Sequence, residues 1–247
     1  MRPLKAGQVP LERALSKLGL ASRAQARVLI LAGKVKVNGT LRLDPLFGVN
    51  PERAKFEIEG EKVSAPEMRT FLLHKPRGVV TTRSDEKGRK TVFALLREGD
   101  AHLSAVGRLD LATSGVLLIT NDTKLSHWLT EPKNEVPRVY VVSVRGEVRE
   151  EKLTQLRTDG IEDRGEFLKV DQVRLQKSSG KESHLEVTLK EGKNREIRRI
   201  FLALGHEVTR LKRIAYGGIQ LGKLQPGEYR ELSIAEIKTA FPGAPLR

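Results

Sequence analysis

A chain of 247 residues with 38% hydrophobic content has the material for one full domain and a small companion. Its 45 Lys and Arg against 31 Asp and Glu leave a formal charge of +14, which points to a polyanionic partner and ranks nucleic acid first. The lack of cysteine excludes disulfides, thiolate metal sites and cysteine nucleophiles, and no apolar run approaches the roughly 20 residues of a membrane span, so a soluble cytoplasmic protein is expected.

The opening segment, MRPLKAGQVP, lacks the apolar core of a secretory signal. Two short helices are predicted over residues 11–33. Leu11, Ala14, Leu15 and Leu18 recur at helical spacing after Pro10, and Gly19 supplies a stop. The second helix opens with Ser22 and Gln25 at capping-box spacing, buries Ala26, Leu29 and Ile30, and meets Gly33 at its end. Val35, Val37 and the Asn38–Gly39 turn then signal a hairpin, and Phe56 and Ile58 repeat the alternation. This unit closes near residue 64 and holds twelve Lys/Arg against six Asp/Glu, a net of +6. The run LERALSKLGLASRAQARVLILAGKVKVNG resembles an S4 domain, a small RNA-binding module, and the resemblance makes Arg13, Lys17, Arg23, Arg27 and Lys34 candidate RNA contacts.

Ser64, Ala65 and Pro66 begin a linker that runs to residue 69, and a second pattern extends from 70 to 247. Strands are predicted at Phe71 to Leu73, Val79 to Thr81, Val116 to Thr120 and Val139 to Val144, and helices at Lys124 to Leu129, Glu150 to Arg157 and Asn194 to Leu204. Strands and helices do not alternate strictly, so the expected class is α+β, with a mostly antiparallel sheet behind the small N-terminal unit.

The segment Gly107-Arg-Leu-Asp-Leu-Ala-Thr-Ser-Gly-Val-Leu-Leu-Ile-Thr-Asn-Asp122 sets an arginine and an aspartate on a turn before an apolar strand. On pattern alone such a pair is ordinary loop bracing. The run resembles the signature of RNA pseudouridine synthases, however, and further segments match that family in order. These are Leu73-His-Lys-Pro-Arg-Gly-Val-Val, Arg138-Val-Tyr140-Val-Val and Glu191-Gly-Lys-Asn-Arg-Glu-Ile-Arg-Arg. His74 stands where the family commonly has Asn. Together with the S4-like front, the likeness is to the RsuA/RluB branch, whose members modify ribosomal RNA. Asn194-Arg-Glu-Ile-Arg-Arg is closer to the RluB side, which implies large-subunit (23S) RNA ahead of small-subunit (16S) RNA.

The resemblance implies a cofactor-free and metal-free isomerisation of uridine to pseudouridine in ribosomal RNA, with Asp110 as the catalytic carboxylate. Tyr140 supplies a ring for stacking on an extracted uracil and a hydroxyl for proton transfer. Arg198, at the edge of the Ile197, Ile200, Phe201 and Leu204 stripe, is expected to pair with Asp110 and keep it ionised, with Arg195 and Arg199 pointing farther out. Lys75, Arg77, Arg108, Lys193, Arg195 and Arg199 are expected RNA contacts. Lys190 to Arg213 carries eight Lys/Arg against three Asp/Glu and extends the expected RNA path. A monomer is expected. The rival reading is a non-catalytic, RNA-binding ribosome assembly factor. A metal-dependent nuclease ranks lower, because the histidines at 74, 102, 127, 184 and 206 have no zinc-binding spacing.

Overall fold

The computed structural model describes residues 4–97 and 103–246; Met1 to Pro3, residues 98–102, which include His102, and Arg247 lie outside the described residues. At the N-terminal end β1 (Val9–Pro10) leads into α1 (Leu11–Lys17) and α2 (Arg23–Leu31). Leu11, Ala14, Leu15, Ala26 and Ile30 are fully buried, the apolar stripes that hold the two helices together. Ser22 and Gln25 form the reciprocal capping box, with Gln25 N–H donating to Ser22 Oγ at 3.2 Å and Ser22 N–H to Gln25 Oε1 at 3.0 Å. Gly33, at φ +70°, lets Lys34 N–H turn back to Leu29 O at 3.0 Å and ends α2. β2 (Val35–Val37) turns into β3 (Thr40–Leu41) through Asn38 and Gly39, both at positive φ as a two-residue type I′ hairpin requires. β4 (Gly48–Val49) pairs with β1, while β5 (Phe56–Ile58) and β6 (Glu61–Val63) complete a four-stranded sheet in the order β3-β2-β5-β6.

Residues 64–69 carry no regular element. The larger sheet then draws on β7 (Thr70–Lys75), β8 (Ser104–Ala105), β9 (Thr113–Thr120), β10 (Arg138–Arg145), β13 (Gln172–Ser178), β14 (Glu182–Leu189), β15 (Val208–Tyr216), β16 (Ile219–Gln220) and β17 (Tyr229–Glu231). A separate hairpin joins β11 (Ile161–Asp163) and β12 (Glu166–Leu168). The main order is β13-β14-β10-β15-β9-β7-β17, with β8 on β9 and β16 on β15. Every pairing in this sheet is antiparallel except β15 with β9. Four helices cover it: α3 (Thr123–Thr130), α4 (Glu150–Thr158), α5 (Glu196–Ala203) and α6 (Ile234–Ala240).

Alternation along the central strands divides the core. Phe71, Leu73, Leu117 and Ile119 share a cluster with Leu153 and Leu156 of α4 and Ile197, Ile200 and Phe201 of α5. Leu72, Val116 and Leu118 join Leu125 and Leu129 of α3 and Ile237 of α6 in a second cluster. Cover on both faces is why β7 and β9 read as unbroken apolar runs. The architecture is α+β with a mostly antiparallel sheet.

Two expected elements differ. Val79 to Thr81 is no strand but a single bridge from Val80 to Thr91, and Thr81 Oγ1 donates to Leu109 O at 2.9 Å. α5 begins at Glu196 rather than Asn194: Arg195 is left-handed at φ +50°, and Glu196 Oε2 accepts Lys193 N–H at 3.1 Å, which closes a turn ahead of the helix.

Candidate active site

The Asp110 turn joins β8 to β9 and is pinned from several sides. Gly107 takes φ +69° at its start. Gly78 N–H donates to Leu111 O at 2.8 Å and Thr113 N–H to Asp110 O at 3.0 Å. Beneath the turn the Lys75 ammonium, fully buried, donates to Pro76 O at 3.0 Å, Asp110 O at 3.1 Å and Thr113 O at 2.8 Å. Burial pushes the Lys75 pKa down to about 8, opposed by the Asp110 charge. The turn is thus a preset loop that presents the half-buried Asp110 side chain to a cavity of about 540 Å³.

Across this cavity from Gly107 to Asp110 lie Tyr140 of β10, Arg213 of β15 and the segment from Glu191 to Ile197. Among the described residues, six buried side-chain polar atoms have no hydrogen-bond partner, and three of them, Thr113 Oγ1, Glu196 Oε1 and Arg213 Nη2, belong to cavity residues. Buried polar atoms are normally paired, so this concentration marks a surface built for a polar ligand. Glu196 is pushed up to about 8 by burial first and by the adjacent Glu191 carboxylate next, with Lys193 opposing.

Arg198 is half-buried, and Nη1 donates to Val208 O at 3.0 Å while Nη2 is buried without a partner. Burial lowers its pKa and the Asp110 charge raises it, with Arg195 and Arg77 lowering it further, so these four groups share one electrostatic neighbourhood. The expected ion pair is not formed: among the described residues Arg198 makes no carboxylate contact within 4.0 Å, because the Val208 carbonyl holds one arm of its fork.

Two expected RNA contacts are corrected. Lys75 is sealed under the Asp110 turn and reaches no phosphate. Arg199 does not point outward: it clamps the β11–β12 hairpin through Asp163 Oδ2 at 2.5 Å, the Asp163 carbonyl and Glu166, leaving its side chain 14% exposed. Lys193 donates from Nζ to Phe167 O at 2.6 Å and Glu191 Oε1 at 2.8 Å, and it lines the cavity. Arg77, Arg108 and Arg195 are exposed, as are Arg13 and Lys17. Arg23 and Arg27 both pair with the buried Glu12 and Lys34 pairs with Glu59, yet all three remain open to solvent.

Arg138, Thr113, Glu196 and Arg213 line the cavity without having been singled out for it. Arg138 binds Lys190 O at 2.8 Å and Leu129 O at 3.0 Å, which ties the strand that carries Tyr140 to its surroundings. A usable signal existed for Arg213, which falls in phase with the apolar Leu211, and for its neighbour Gly115, a lone glycine inside a strand pattern.

Residues 69–203 match the RNA pseudouridylate synthase family and residues 9–53 match the S4 domain. An uncharacterized RNA pseudouridine synthase of Aquifex aeolicus (strain VF5) is 39% identical over 242 residues, which covers 97% of this chain and 96% of that protein. Ribosomal large subunit pseudouridine synthase B of Bacillus subtilis (strain 168) is 38% identical over 230 residues, covering 92% and 93%. A crystal structure of a pseudouridylate synthase superposes with a TM-score of 0.66 at 30% identity, covering 93% of this chain and 98% of that one. With these matches spanning both the small helical front and the sheet that carries the Asp110 turn, the chain belongs to the RNA pseudouridine synthase family and carries an S4 domain ahead of its synthase domain.

Proposed function

We propose that this enzyme isomerises a uridine of large-subunit ribosomal RNA, with residues 1–64 capturing RNA, 65–69 linking, and 70–247 performing the chemistry. The observation that carries the substrate reading is the near full-length likeness to the Bacillus subtilis large-subunit enzyme. The pinned Asp110 turn at the cavity supports the assignment of the carboxylate.

The reaction breaks the bond from ribose C1′ to uracil N1 and forms one from C1′ to C5, while a proton leaves C5 and one arrives at N1. No atoms or electrons are exchanged with a second molecule, so the proposal names no cofactor. Asp110 acts on the sugar, either by bonding to C1′ or by taking a ribose proton, and both routes require its ionised form. Tyr140 stacks on the extracted base. Arg198, coupled to Asp110 by charge, pairs with it once RNA is seated, and its free Nη2 is the atom available for that. Arg13, Lys17, Arg23, Arg27, Lys34, Arg77, Arg108 and Arg195 supply phosphate contacts that position the RNA.

Mapping pseudouridine in ribosomal RNA from cells with and without the protein tests this reading. One missing large-subunit signal, restored by the wild-type chain and not by Asp110→Asn, is expected. A missing small-subunit signal overturns the substrate; an unchanged map favours the assembly-factor reading.

A further inference from the structure

In the sequence Arg213 is only one charge in a basic stretch, yet the fold treats it unlike any surface cation. It is 3% exposed and lies directly opposite Tyr140 across the β10–β15 ladder, so the two side chains share a face. That alignment depends on a bulge, because the register runs Val139↔Ala215 and then Tyr140↔Arg213, with Ile214 left over. Bulges re-aim side chains and recur beside active sites. On its other edge β15 is drawn tight against β9 at the same point: a Cβ on Gly115 would lie 2.0 Å from Arg213 O. Two irregularities, the bulge at Ile214 within β15 and the glycine at 115 on the neighbouring β9, therefore fix where this arginine stands.

Its guanidinium is equally constrained. Nε donates to Val116 O at 2.7 Å, and the group sits over the Tyr216 ring at 4.8 Å. Arg138 sits over the same ring at 5.0 Å but has both terminal nitrogens engaged by Lys190 O, Leu129 O and Tyr216 Oη. Arg213 Nη2 is buried and unpartnered in a residue that lines the cavity. A buried cationic donor lacking an acceptor favours a ligand that brings one.

We propose that Arg213 donates to a carbonyl oxygen of the target uracil, and that this one fixed donor serves the base both before and after it rotates. The proposal rests on the reading that the cavity takes a uridine. Pseudouridine formation exchanges the places of N1 and C5, which a half-turn about the axis through N3 and C6 accomplishes. The same half-turn exchanges the places of O2 and O4. A donor held rigidly beside the stacking Tyr140 therefore meets one carbonyl in the substrate orientation and the other in the product orientation, and it disperses the negative charge of the detached uracil between the two.

The test uses large-subunit ribosomal RNA transcribed with a few per cent of its uridine replaced at random by 4-thiouridine or, separately, by 2-thiouridine. A thiocarbonyl is the weaker acceptor, so the ratio of pseudouridine to thiopseudouridine formed in one reaction, divided by the ratio of uridine to thiouridine in the transcript, reads the contact by internal competition. Wild type is expected to favour the oxygen substrate by about tenfold or more for each analogue. Arg213→Met should bring both ratios close to one, and Arg213→Lys should fall between, because an ammonium retains the charge without the fork. A merely structural Arg213 would lower the rate on all three substrates alike and leave the ratios unchanged in Arg213→Met, which overturns the proposal. Wild-type ratios near one overturn it without any variant. Discrimination against one analogue alone retains the contact and overturns its role on both sides of the rotation. Wild type that forms no pseudouridine in the unsubstituted transcript overturns the uridine reading itself.

Discussion

The S4 unit and the synthase cavity are both built with cations, and they use them in opposite ways. In the S4 unit the side chains of Arg23, Arg27 and Lys34 are at least half exposed even while paired, and Arg13 and Lys17 are exposed on α1. Around the cavity Lys75, Arg138 and Arg213 are buried, with their donors aimed at backbone carbonyls. An exposed cation contributes long-range, salt-screened attraction to phosphate. A buried one fixes geometry, and its removal leaves carbonyls unpaired. The same residue type thus has a diffuse role at one end of the molecule and a local one at the other.

The largest effect is expected from Asp110→Asn, which preserves shape and the backbone anchors and removes the ionised carboxylate. Single-turnover product formation should fall by on the order of 10³-fold or more while RNA affinity changes little. Conversion at a near-normal rate would remove Asp110 from the chemistry and leave the cavity without its proposed reacting group.

Lys75→Met comes next. It keeps the stem and leaves the carbonyls of Pro76, Asp110 and Thr113 without their shared donor, so the turn loosens and the rate should drop on the order of a hundredfold. Wild type should also lose activity as pH rises through about 8, where Lys75 gives up its proton and keeps only two donors for three acceptors. Unfolding does not explain such a limb: the folded pKa lies below the ordinary lysine value of 10.5, so between about 8 and 10.5 the unfolded chain holds more protons and this group adds stability as pH rises. If the turn keeps its full rate in Lys75→Met, the buried cation is not what presets it.

The difference between the two regions also decides what could be read from sequence. Ser22, Gln25, Gly33 and the Asn38–Gly39 turn are local devices whose partners lie within a few residues, and each appears in the structure at the expected place. β15 is different. Bulges at Ile214 and again at Thr209 break its alternation, so no strand signal stands out there. Lys75 and Arg199 read as surface charge because their partners, the Asp110 turn and the β11–β12 hairpin, are distant in sequence, and only the folded chain brings those acceptors to them. α6 was missed despite a local cue, the Ser233 and Glu236 capping box.

Glu196 separates burial from charge within the cavity wall. Its folded pKa of about 8 lies above the ordinary glutamate value of 4.5, so its contribution to stability is fully present below 4.5 and is lost as pH rises through about 8. Glu196→Gln removes that loss and keeps an acceptor for Lys193 N–H. The melting temperature of the variant relative to wild type should therefore climb between pH 5 and pH 8, by several degrees at the upper end. A constant difference across that range would mean that Glu196 titrates as an ordinary carboxylate, and that the cavity wall is wetter than its burial implies.

The smallest effect per residue belongs to the S4 surface. Among the described residues Arg13 and Lys17 make no ion pair within 4.0 Å, so neither supports the fold through a carboxylate, and both are available to phosphate. Each phosphate contact removed should lower the slope of log affinity against log salt by about one. Arg13→Gln with Lys17→Gln should therefore weaken binding of large-subunit ribosomal RNA at low salt, flatten the slope by up to about two, and leave the single-turnover rate at saturating RNA near wild type. Arg199→Gln is the opposite control. It removes a cation from the same formal charge, but one held by Asp163 and Glu166, so it should lower the melting temperature and leave the salt slope alone. If Arg199→Gln flattens the slope as much as the S4 pair does, net charge rather than exposure governs RNA capture, and the contrast between the two regions fails.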